Sequence, residues 1–294
     1  MPPSLLSYRL AALAAALLFS TGGAAIKAAS LTGWQVACFR SGIAAATLLL
    51  LVPTSRRRWN PEVILASLAY AATLVTFVVA NKLTTSANAI FLQCTGPLYL
   101  LILSPWLLRE PVRRRDLAVM AFMAAGMGMV LLAGQSQSAT APDPVKGNWV
   151  GVITGIAWAF TLVALRRLGS REGSGGSAIA AVSAGNLVAC LATLPQAFPL
   201  GEIGAADWMV LAYLGTVQIA VAYLLLTYAV RRLSALETSL LVLAEPALNP
   251  VWTFLVHGER PVQLALLGGL LILAATLSNL VQSSAAGKAS PAQH

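Results

Sequence analysis

The sequence predicts an all-α membrane protein: ten transmembrane helices, arranged as two inverted five-helix repeats around a central cavity, with the N- and C-termini cytoplasmic. Three observations lead there. The 294 residues are 58% hydrophobic and only 10% charged, with a mean hydropathy of +0.77, far outside the range of a water-soluble domain. The apolar residues fall into ten runs of about 20 residues, the length that crosses roughly 30 Å of hydrocarbon. Finally, Pro97, inside an apolar run, and Glu110, which ends it, recur 149 positions later as Pro246 and Glu259.

The ten runs lie near 6–27, 34–53, 62–82, 84–107, 113–134, 147–168, 175–197, 207–230, 234–257 and 261–282. They are continuous and rich in Ala and Leu rather than alternating, and a lipid-embedded backbone must satisfy its own polar groups, so they read as helices. The first run follows Arg9 and resembles a signal peptide in order, but it is too long and nine more follow. Residues 82–84, 108–112, 230–234 and 257–261 are short connections, which make their flanking helices antiparallel neighbours. Five spans per half is an odd number, so the second half inserts upside down relative to the first. The expected organisation is a first repeat over 1–134, a periplasmic linker over 135–147, a second repeat over 148–283 and a disordered tail over 284–294. Gly169–Ser177 reads as a flexible inner linker.

With the N-terminus inside, the inner side holds fourteen basic residues: Arg9, Arg56–Arg58, Arg109, Arg113–Arg115, Arg166, Arg167, Arg171, Arg231, Arg232 and Lys288. The outer side holds four, Lys27, Lys82, Lys146 and Arg260, a strong positive-inside bias. The net charge of +9 therefore punctuates helix ends and forms no nucleic-acid-binding face. Cys38, Cys94 and Cys190 lie inside spans without metal-ligand spacing, so neither a disulfide framework, a metal site nor a cofactor is expected. The two histidines, His257 and His294, have no nucleophile–base partner, and there is no P-loop. That excludes an enzyme reading and ATP-driven transport within this chain, and implies no ATPase partner.

Glu245 is the principal candidate. It lies near the middle of the ninth run, where an ionisable group is costly and by default functional. Pro246 and Pro250 break the backbone beside it, and Thr238, Asn249 and Trp252 share its face. The competing reading is a protonated glutamate bonded to a neighbouring helix. The repeat-related position is Gly96, so whatever Glu245 does is done once. Other polar and aromatic stripes offer a cavity wall: Ser20 and Lys27 in the first run, Tyr70, Thr73, Phe77 and Asn81 in the third, Asn88, Gln93, Thr95 and Tyr99 in the fourth, Thr154, Trp158 and Thr161 in the sixth, and Tyr213, Thr216, Tyr223 and Thr227 in the eighth. By depth, Trp158, Tyr99 and Tyr223 are the better cavity residues, whereas Tyr70, Tyr213 and Trp34 read as interface anchors or packing. Arg40 could counter a substrate carboxylate, but snorkelling or structural pairing is favoured. Glu110 and Glu259 precede prolines near helix starts, where a carboxylate satisfies free N–H groups, a scaffold role. Gly151 with Gly155, and Ala124 with Gly128, are small-residue pairs for close helix contact.

Pro97 to Glu110 and Pro246 to Glu259, each followed by a glycine-bearing helix (Gly126 and Gly128; Gly268 and Gly269), together with Arg40 after Phe39, resemble the drug/metabolite transporter superfamily in its EamA-type branch. The resemblance covers the whole chain, and its overall look is that of bacterial inner-membrane exporters of aromatic amino acids and paraquat. It implies helices 1–4 and 6–9 around a cavity, with 5 and 10 peripheral. Small multidrug-resistance relatives carry an acid in the first helix, and here the first run has none, which puts proton coupling by that route in doubt.

The expected function is secondary transport: export of aromatic and other apolar amino acids, or similar small metabolites, by alternating access. Glu245, Asn249, Trp158, Tyr99, Tyr223, Gln93, Ser20 and Phe77 would meet substrate, and Pro97, Pro246, Pro250, Gly22 and Gly155 would act as gates. The partners are a small-molecule substrate and the lipid bilayer. A multidrug or nucleotide-sugar carrier, and a membrane subunit without a pathway of its own, are the alternatives.

Overall fold

The computed structural model describes residues 5–56, 59–107, 114–169, 177–233 and 235–289, without the side chains of 104–107, 115, 166, 169, 235, 236 and 282–289. Glu110 and residues 170–176 of the expected inner linker lie outside the described residues, as do residues 290–294 of the expected tail.

The chain is helical throughout, apart from one isolated bridge between Ser138 and Ala141 among the described residues. In order the helices are α1 (Leu5–Ala28), α2 (Gly33–Leu51), α3 (Pro61–Leu83), α4 (Ser86–Gln93, resuming as Gly96–Leu107), α5 (Arg114–Leu132), α6 (Pro144–Gly169), α7 (Ser177–Ala197), α8 (Ala205–Ala229), α9 (Ala235–Val242, resuming as Ala244–His257) and α10 (Gln263–Ala289). Nine of them contain a stretch long and apolar enough to cross a membrane, while α5 offers the shorter Asp116–Leu132. Large apolar side chains point outward, among them Leu50, Leu51, Leu132 and Leu255, as expected of a surface solvated by lipid.

Local chemistry sets the helix ends. Thr32 and Gln35 form a reciprocal capping box at α2, and Asn60 caps Val63 with Pro61 at the first turn of α3. Thr85 caps Asn88 at α4. Gly258 ends α9 in the left-handed region at φ 64°, which glycine adopts without a Cβ penalty. Two boundaries differ from expectation. Helix α6 begins at Pro144 rather than 147, because Asp143 accepts a hydrogen bond from the Lys146 amide and Pro144 lacks only a donor that a first turn leaves free. Helix α10 runs to Ala289, six residues into the segment expected as a tail.

Packing obeys an exchange of the two halves. Helix α3 packs on α6 as α8 packs on α1, α4 on α6 as α9 on α1, and α3 on α7 as α8 on α2. The pairs α2–α7, α4–α9 and α5–α10 join counterparts directly. The α5–α10 seam is close: a Cβ on Gly126 would meet the Gly268 carbonyl oxygen at 2.6 Å. Gly128, expected as the close-contact residue, has nothing within 4 Å; the register of the seam puts Gly126 there instead.

Candidate functional site

Four helices are irregular. Helix α1 breaks at Thr21, whose hydroxyl donates to the Leu18 carbonyl at 2.7 Å. Helix α4 breaks at Cys94–Thr95 and α9 at Leu243, each just ahead of its proline, so Pro97 and Pro246 sit in the first turn of a resumed helix. Helix α8 carries a π-helical stretch, Tyr213–Val221. Such features in lipid are tolerated where protein surrounds them or where they line a cavity.

These irregular segments border one cavity of about 60 Å³. Phe19 comes from α1, Arg40 from α2, Tyr70, Thr73, Leu74 and Phe77 from α3, Gln93 from α4, Gln218, Ile219 and Tyr223 from α8, and Glu245 from α9. The aromatic wall is interlocked: Tyr223 meets Phe19 edge-on at 5.0 Å and Tyr70 at 5.7 Å between ring centroids. Several polar atoms here are buried without a hydrogen-bond partner, namely Nε and Nη1 of Arg40, the Tyr70 hydroxyl and Oε1 of Gln218. Buried polar groups in this state call for a partner, water or ligand, in the cavity. Gly215 lets α8 approach α2 closely, because a Cβ there would lie 2.8 Å from the Arg40 carbonyl oxygen. The π-helical stretch and α2 therefore touch backbone to backbone. At this size the cavity admits a few waters, not a metabolite, so a substrate enters only when the helices part.

One mouth of the bundle is bolted. Lys27, near the end of α1, donates to the carbonyl oxygens of Asn81 at 2.6 Å, Thr84 at 2.8 Å and Thr140. It also pairs with Glu259 at 3.1 Å, both side chains being 2% exposed. Glu259 accepts from the Ser86 amide at 2.7 Å, and the Ser86 hydroxyl donates to Asn249 at 2.5 Å. His257 reaches the Ala24 carbonyl at 2.8 Å. Gly23 makes this possible, since a Cβ would fall 1.8 Å from the Ser86 hydroxyl oxygen. At the other mouth the ion pair Arg9–Glu237, 2.6 Å long, joins α1 to α9 with its side chains 49% and 32% exposed, where such pairs contribute little.

Of the expected substrate residues, Glu245, Tyr223, Gln93 and Phe77 line the cavity. Four do not. Asn249 is fully buried in the bond to Ser86. Ser20 is fully buried and accepts from the Trp252 indole at 2.9 Å. Trp158 packs over Gly96, whose missing Cβ would approach it to 2.7 Å, and Tyr99 packs beside Gly155 and reaches the Met127 sulfur at 3.3 Å. Both fill the α4–α6 seam, and glycine at Gly96 and Gly155 is what lets them in. Helices α6 and α7, expected around the cavity, give it no lining residue. Conversely, Arg40 and Tyr70, read as structural or as an anchor, face the cavity, and Phe19, Thr73, Leu74, Gln218 and Ile219 join them. Glu259, expected to serve the helix that follows it, serves Ser86 at the start of α4 instead. A larger groove of about 580 Å³ between α3 and α6 is lined by exposed Leu65, Leu68, Ile153 and Phe160 and is part of the outward apolar surface.

Comparison with known proteins agrees with this architecture. The model of the EamA-like transporter family matches residues 6–132 and again 145–281. No curated protein matches. A solved structure described only as "Crystal structure of protein" aligns with a TM-score of 0.61 at 19% identity, over 98% of this chain and 100% of its own, which shows the shared fold. With a helical unit matched twice, halves that exchange in their packing and a cavity at the meeting point of broken helices, this chain belongs to the EamA-like transporter family.

Proposed function

We propose that this membrane transporter exports amino acids with aromatic or other bulky apolar side chains across a bacterial inner membrane, without ATP, by alternating access. The observation that carries the reading is the cavity: Glu245 stands on it with no hydrogen bond or ion pair among the described residues, and Phe19, Tyr70, Phe77 and Tyr223 line it too. Aromatic walls with a few convergent polar groups suit a small amphipathic molecule. In this reading ten spans form two inverted repeats, over 1–134 and 148–283, with both termini cytoplasmic and the Lys27 mouth facing out. The described conformation is then shut on the outside. Pro97, Pro246, Pro250 and Gly22 let the broken helices bend as that mouth opens, and Gly155 on α6 gives the small-residue contact against which α4 moves.

A nucleotide-sugar carrier fits less well, because a diphosphate needs several cationic side chains. Lys27 and Lys82 are committed at the mouth, to Glu259 and to backbone carbonyls, and Arg40 is the one cationic side chain on the cavity among the described residues.

The test is reconstitution of the purified chain in liposomes, following labelled phenylalanine and threonine with and without a pH gradient, for wild type and Glu245→Gln. Saturable flux above protein-free vesicles is expected, larger for phenylalanine. Gradient-driven flux lost in Glu245→Gln makes Glu245 the proton site, while flux indifferent to both makes the chain a uniporter. Absence of flux for any amino acid refutes the reading and returns the chain to the class of subunits without a pathway.

A further inference from the structure

We infer that Arg40 is the carboxylate anchor of the cavity and Glu245 its ammonium anchor, so that the site selects zwitterions over amines and over carboxylates. The inference rests on the transport reading above and deepens it to a substrate class. Arg40 is 2% exposed, lines the cavity and makes no hydrogen bond or ion pair among the described residues, its Nε and Nη1 being buried without partners. An arginine kept in this state is costly, since a guanidinium carries a forked set of donors suited to a planar carboxylate. Glu245 lines the same cavity from α9, and no ion pair joins it to Arg40. A guanidinium and a carboxyl group that share a cavity without pairing with one another define a site with two poles.

A zwitterion fills both poles at once. An amine would leave Arg40 unpaired, and a carboxylate would leave Glu245 unpaired, which is how a site built on buried polar groups rejects an incomplete ligand. Phe19, Tyr70, Leu74, Phe77, Ile219 and Tyr223 line the same cavity, a lining for an apolar side chain.

The experiment measures flux of labelled phenylalanine, phenethylamine and 3-phenylpropionate in proteoliposomes of the full chain, for wild type, Arg40→Gln, Arg40→Lys and Glu245→Gln, with thermal denaturation of each. Wild type should move phenylalanine and handle both analogues at least about 100-fold less efficiently. Arg40→Gln should lose phenylalanine flux and the discrimination against phenethylamine, with a melting temperature unchanged or raised, because the lost side chain held nothing. Arg40→Lys, keeping charge without the fork, should fall between. Glu245→Gln should lose the discrimination against 3-phenylpropionate. Phenethylamine or 3-phenylpropionate carried as well as phenylalanine by wild type would overturn the inference and leave the transport reading standing. A collapse in melting temperature for Arg40→Gln, with discrimination intact in Arg40→Lys, would equally overturn it by making Arg40 structural. No flux of any of the three would overturn both.

Discussion

Lys27 and Glu259 form a buried ion pair, 3.1 Å long, that joins the end of α1 to the end of α9 where the mouth is shut. Neither partner relies on the other alone. Lys27 is also held by three carbonyl groups, and Glu259 by the Ser86 amide. Such a pair is strongly destabilising to break from one side, because a buried charge is left over, and much less so to replace as a unit.

Single substitutions here should therefore cost stability out of proportion to the double. We expect Glu259→Gln and Lys27→Met each to destabilise by about 3–5 kcal/mol, and the double variant by clearly less than their sum. Thermal denaturation of the purified proteins in a double-mutant cycle measures this directly. Additive losses would mean that the two side chains act independently.

Two glycines on α5 make a matched pair for the helix seam. Gly126→Ala should lower stability by about 1–3 kcal/mol through the clash with the Gly268 carbonyl. Gly128→Ala, with open space around it, should be neutral or stabilise by up to about 1 kcal/mol through helix propensity. Equal effects in a melting experiment would contradict the seam described.

Pro250 lies inside the resumed part of α9, where it withholds one backbone hydrogen bond. If that bend lets the mouth open, Pro250→Ala should keep or raise the melting temperature while slowing turnover about tenfold, a stability gain against activity. Stopped-flow or counterflow rates in liposomes decide it, and an unchanged rate would remove Pro250 from the gating machinery.

The breaks in α4 and α9 were legible because Pro97 and Pro246 announce them, and Glu245 because a carboxylate in mid-span is rare. Arg40 and Tyr70 were misplaced because counting from the end of an apolar run measures position along a helix, not what packs across it. Arg40 is buried, and its backbone lies against Gly215 of a helix remote in sequence, a contact that only the fold creates. Trp158 and Tyr99 carried the same aromatic signal as Tyr223, but Gly96 and Gly155 opened room for them in a seam. The π-helical stretch of α8 was invisible to a 3.6-residue reading. Counting that period leads to Tyr213, Thr216, Tyr223 and Thr227, of which Tyr223 lines the cavity, whereas Gln218 and Ile219 of the widened turn line it too.

In the proposed transport cycle, substrate passes through this cavity only when the Lys27 mouth opens. Ser86 and Asn249, bonded at 2.5 Å through short side chains, allow that mouth to be locked. The measurement is flux of labelled phenylalanine through Ser86→Cys/Asn249→Cys, with Cys38, Cys94 and Cys190 replaced by serine because Cys38 and Cys190 lie only 3.8 Å apart at sulfur. Reduced protein should carry flux, oxidised protein none, and dithiothreitol should restore it. Undiminished flux through the oxidised, mass-verified disulfide would contradict the account.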